Sequence, residues 1–86
     1  MGAYSTLENK KIKLWKVDAL DKSDDLFDES RKNGEVLLSN CKNGLYIKAK
    51  DGIIKVLEIQ GENAKRMSIE DFLRGNSIKI GSIFKN

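Results

Sequence analysis

Two adjacent cations, Lys65 and Arg66, stand immediately ahead of the segment Met67 to Gly75 and are the side chains here best suited to chemistry. An arginine offers a planar fork that grips phosphate with two hydrogen bonds, and a lysine adds a mobile point charge. Other chemistry is scarce. The chain has no histidine, so neither a Ser-His nor a Cys-His couple can be built. Zinc would find one thiolate and carboxylates only. Cys41 has no base to activate it and no second cysteine to pair with; it reads as a small, partly buried thiol in a turn and fits a reducing cytoplasm. Asp24, Asp25, Asp28 and Glu29 crowd one loop instead of facing each other across strands. No catalytic residue and no metal ligand is expected.

The cations are positioned by a short helix near residues 68–74. Ser68 followed by Asp71 is a capping box with Asp in the place of Glu or Gln. Met67 and Phe72 take the two positions of a hydrophobic staple, while Ile69, Phe72 and Leu73 make one face apolar. Gly75 is placed to stop the helix in the left-handed conformation. A helix amino end repels cations, so Lys65 and Arg66 are poorly sited for helix stability and are expected to point elsewhere.

The net charge of +3 hides an asymmetry. Residues 18–29 hold six of the 13 acids and one of the 16 basic residues, which leaves the remainder with a balance of +8. So basic a body fits a polyanionic partner such as RNA, although lysines also serve simply as solubilising charge. With 86 residues, 40% of them hydrophobic, the chain supports one small core. It contains no apolar run of bilayer length, so a soluble protein without a membrane partner is expected.

Strand signals dominate. Residues 3–7 and 11–19 read as a hairpin around Glu8, Asn9 and Lys10. Ile12 and Leu14 share one face of the second strand, and Lys13, Trp15 and Val17 share the other. Trp15 is therefore either a core residue of a strongly curved strand or an exposed platform. Residues 18–33 read as a loop anchored by Leu26 and Phe27, with room for a helical turn near 25–31. Strands follow at 35–39, 45–49 and 53–60, separated by Asn43-Gly44 and Asp51-Gly52 turns. In the middle one Leu45, Ile47 and Ala49 alternate with Tyr46, Lys48 and Lys50, giving a buried and a basic face. The imperfect alternation of 53–60 implies burial on both sides or a bulge. Ile78, Ile80, Ile83 and Phe84 suggest a last short strand. Together these elements predict a mainly β domain, a small OB-like β-barrel of five or six short strands with one short helix.

Three stretches carry a family resemblance in the right order and spacing: GAYSTLENKKIKLWKV (2–17), GEVLLSNCKNGLYIKAKDGIIKVLEIQ (34–60) and KRMSIEDFLRG (65–75). The chain resembles the C-terminal domain of bacterial methionyl-tRNA formyltransferases over nearly its whole length. The resemblance implies a single tRNA-binding-type barrel spanning 1–86, with the catalytic Rossmann-like domain, its 10-formyltetrahydrofolate and its Asn-His-Asp constellation outside this chain. It implies a cytoplasmic protein whose partners are initiator methionyl-tRNA and its own N-terminal catalytic domain. Met1 stands where the family has proline, as at the start of an excised fragment, and Asn63-Ala64-Lys65 replaces the usual Gly-Lys-Lys, which removes one cation.

On this resemblance Lys65 and Arg66 are expected to face RNA phosphates, with Arg74, Lys48, Lys50 and Lys42 as further candidates and Tyr46 as either a base-stacking surface or a packing residue. Two other functions stay open: a structural or docking barrel of a related formyltransferase acting on a folate or nucleotide sugar, and a free-standing protein-interaction barrel that uses the acidic stretch 18–29.

Overall fold

The computed structural model describes residues 3–7, 10–21, 27–50, 52–61 and 64–85, with backbone only for 3–7 and 10. Six strands, β1 (Ala3–Leu7), β2 (Lys10–Asp21), β3 (Val36–Asn40), β4 (Gly44–Ala49), β5 (Gly52–Gln60) and β6 (Met67–Ser68), precede one helix, α1 (Ile69–Gly75). All strand pairs are antiparallel, in the order β1-β2-β5-β4-β3, with β6 added to the end of β5. The mainly β class with one short helix is therefore what the molecule has. The OB-like barrel narrows to an open sheet: β1 and β3 are its two ends and do not pair with each other.

Two compensating bulges shape the centre. Between β2 and β5 the register passes from Leu14↔Ile59 to Lys16↔Glu58 and then to Val17↔Val56, leaving Trp15 on one strand and Leu57 on the other without a direct partner. Each bulge inserts one residue and sharpens the local twist. Their effect is to space Ile54, Val56 and Ile59 by two and then three while all three turn toward one core, with Val56 and Ile59 wholly buried. Ile53, opposite Lys48 and Leu20, is buried outside that cluster. The irregular pattern of 53–60 thus has both expected causes, a bulge and burial on two faces.

The core gathers Ile12 from β2, Val36 from β3, Leu45 and Ile47 from β4, and Ile69 and Phe72 from α1. Ser68 caps α1 by accepting the Asp71 amide at 3.2 Å, and Met67 packs on the cluster that holds Phe72, as the staple requires. Gly75 does not end the helix. Asn76 does, in an extended conformation (φ −139°), its backbone and side-chain N–H groups both donating to the Phe72 carbonyl. No left-handed residue is needed once an asparagine side chain satisfies that carbonyl.

Other expectations are corrected. β2 runs on to Asp21 because its register with β5 continues to Asp21↔Gly52, so Asp18 and Asp21 are strand residues and not part of a loop. Residues 27–34 form turns without a helix; Leu26, Asp51, Asn63 and the 8–9 turn lie outside the described residues. The C-terminal segment is not a regular strand. It meets the sheet through the Glu35↔Ile83 bridge and backbone hydrogen bonds that join Val36 to Gly81 and Ser82, burying Ile78 and Phe84 and leaving Ile80 exposed. Cys41 is in the β3–β4 turn but exposed, not partly buried. Among the described residues no helix is long and apolar enough to cross a membrane.

Candidate nucleic-acid interface

The Leu45↔Val56 pair places the β3–β4 turn at the end of β5 that carries Glu58 and Gln60. β6 pairs with that same end, through Glu58↔Ser68 and Ile59↔Met67, and α1 packs across β3, β4 and β5 there. Lys42, Lys65, Arg66 and Arg74 consequently gather around one end of the sheet. Lys48 and Lys50 belong to the other end, roughly 17 Å of strand away along β4.

Lys48 is not on an exposed basic face. It is only 6% exposed, its ammonium donating to Asn33 Oδ1 at 3.0 Å and, at 3.4 Å, to the Ala49 carbonyl, with the Phe27 ring 5.2 Å away. Turn residues 27–34 fold over this stretch of sheet and bury it, which strand alternation within 44–49 does not foretell. Tyr46 is half-buried, with the Lys55 ammonium 5.6 Å from its ring centre. Lys42, Lys50 and Lys65 are exposed. Arg74 is exposed but engaged along its own helix, 2.6 Å from Glu70 with a longer contact to Asp71.

Arg66 points back across the sheet. Its Nε and Nη2 groups donate to Glu58 Oε1 at 2.6 and 2.5 Å, and its guanidinium carbon lies 4.6 Å from the centre of the Trp15 ring. The Lys13 ammonium is 3.9 Å from the same ring. Trp15 Nε1 donates to Gln60 Oε1 at 2.8 Å, and Gln60 Nε2 donates to the Ala64 carbonyl at 2.9 Å. One glutamine thus ties the bulged tryptophan to the connection that carries Lys65. Trp15 is neither a core residue nor a bare platform. It is half-buried on the outer face, its ring overlaid by cations that an aromatic quadrupole attracts.

The grouping of Lys13 and Trp15 with Glu58 and Gln60 escaped sequence reasoning because at this end β2 and β5 pair residues more than forty positions apart. The signal available was the alternation that put Lys13 and Trp15 on one face. The assembly offers exposed cations, a guanidinium over an aromatic ring and a carboxylate bonded to it, a combination suited to anions but lacking any nucleophile–base pair among these residues.

A second polar cluster organises the turn before β3. Glu35 accepts from the Lys32 amide at 3.2 Å and from Arg31 at 2.6 Å, and these bonds hold its carboxyl below the usual glutamate value despite burial. Asp28 is likewise lowered, chiefly by the Ser30 hydroxyl and amide.

The family model described as "Formyl transferase, C-terminal domain" matches residues 1–77. The methionyl-tRNA formyltransferase of Dictyoglomus turgidum is 36% identical over 99% of this chain and 26% of its own length. That of Carboxydothermus hydrogenoformans is 34% identical over 98% of the chain and 25% of its length. That of Caldicellulosiruptor saccharolyticus is 37% identical over 95% and 25%. The chain spans about a quarter of the length of these curated relatives.

Proposed function

We propose, because the chain belongs to the formyl transferase C-terminal domain family, that it is the tRNA-binding accessory domain of a methionyl-tRNA formyltransferase. In this reading it holds initiator methionyl-tRNA by shape and phosphates while a separate catalytic domain formylates the methionyl amino group in the cytoplasm. The carrying observation is the gathering of Lys65 and Arg66 with Lys13 and Trp15 at one end of the sheet. Formylation needs a general base and a folate site, and this chain lacks histidine. The cavity of about 300 Å3 beside Leu20 and Ile53 is walled mostly by aliphatic side chains and offers the polar rings of a folate few partners. We assign 10-formyltetrahydrofolate to the catalytic domain.

Amide chemical-shift mapping tests the interface. Titration with tRNA at low salt should perturb residues 13–16, 58–61 and 64–66. Perturbation confined to the Lys48–Lys50 end would move the interface, and shifts confined to 18–21 and 27–29 would favour a protein-docking barrel.

A further inference from the structure

We infer that Glu58 is an internal competitor for the phosphate that Arg66 recognises, and so sets how selectively this domain accepts polyanions. The inference rests on the proposed tRNA contact and names the residue that regulates it. A guanidinium presents five N–H donors in a fixed fork. In Arg66 the Nε–Nη2 edge, one of the two edges able to grip an anion bidentately, is already closed on a single oxygen of Glu58. One face of the same group lies against Trp15. A phosphate arriving at that edge must displace Glu58, whereas one arriving at the open Nη1–Nη2 edge still finds two donors but feels the nearby carboxylate.

The pair is built to exchange. Arg66 and Glu58 side chains are 50% and 32% exposed, so the bond is solvated and worth little to folding. A flexible polyanion offering isolated charges gains little by breaking it. An RNA backbone held in register by neighbouring cations can replace the carboxylate with a phosphate oxygen while Lys65 and Lys13 supply the surrounding field. Glu58 is fixed for this role: it sits in β5 opposite Lys16 on one side and Ser68 on the other, so it cannot follow Arg66 outward.

Trp15 is the chain's single tryptophan, so its emission reports the departure of Arg66 from the ring. The test is a double-mutant cycle in the full 86-residue chain, with tRNA and heparin as separate probes and melting temperature as a folding check. Glu58→Gln should tighten tRNA binding about two- to fivefold, the amount expected for releasing an exposed ion pair. Heparin affinity should rise at least as much, shrinking the preference for tRNA. In an Arg66→Gln background the gain from Glu58→Gln should vanish, together with the Trp15 emission change on binding. A gain that persists without Arg66 would show that Glu58 acts only through its general charge and would overturn the inference, as would a variant that binds no tighter than the parent. Either result leaves tRNA binding itself standing. Failure of both parent and Glu58→Gln to bind tRNA in a salt-dependent way would overturn the proposed function and this inference with it.

Discussion

The amide of Phe84 donates to the Gly34 carbonyl at 2.8 Å, and Gly34 holds a left-handed φ of +88° at the same point. The Gly34 amide in turn donates to the Lys48 carbonyl at 2.7 Å, so this residue links the C-terminal segment to β4. A side chain here meets two obstacles, an unfavourable backbone region and the carbonyl oxygen of Phe84 directly in the path of its first carbon. Gly34→Ala should therefore cost at least about 2 kcal/mol. Urea unfolding checks this, and a midpoint equal to the parent's would contradict it.

Phe72 is the ring with which α1 closes the core. It is 7% exposed and packs near Gly61, whose added carbon would lie 3.3 Å from the ring. Phe72→Ala should destabilise by about 3–5 kcal/mol. A melting temperature within a degree or two of the parent would show that the helix does not seal the core.

Lys48 is a buried ammonium held by an amide, a carbonyl and a ring face, with no carboxylate among its described partners. Lys48→Met keeps the stem and removes the charge, so stability should stay within about 1 kcal/mol of the parent or rise. Affinity for tRNA should not change, since Lys48 lies at the far end of the sheet. A loss of binding comparable to that of a Lys65 variant would place the interface at that end.

Glu35 and Asp28 give the acid side of the stability profile its sign. Their folded values lie below the ordinary ones, so each contributes stability above its unfolded value and loses it as pH falls through the folded one. Stability should decline below about pH 4.5, and Glu35→Gln should flatten that decline. Melting temperatures of both proteins between pH 7 and pH 3 check this; parallel curves would contradict it.

What the sequence disclosed was local. The Ser68 cap, the Met67–Phe72 staple, the turn at Asn43-Gly44 and the strands on either side of it depend on neighbours a few residues apart, and all are present. What it withheld was long-range. The paired bulges at Trp15 and Leu57, the burial of Lys48 beneath residues 27–34, and the Arg66–Glu58–Trp15 contact all require knowing which strand lies beside which. Lys65 and Arg66 were visible as odd neighbours for a helix start. That one of them bonds to a carboxylate across the sheet was not.

The salt dependence of tRNA binding is the sharpest test of whether the Lys65–Arg66 end of the sheet meets RNA. If the parent neutralises about three phosphates, its affinity should fall roughly forty-fold between 50 and 200 mM salt, treating the RNA as a duplex. Changing Lys65 and Arg66 together to Glu should weaken binding and flatten the slope by one to two units, with the melting temperature nearly unchanged. A double variant that binds as tightly as the parent, with the same slope, would contradict the assignment of this end of the sheet to RNA.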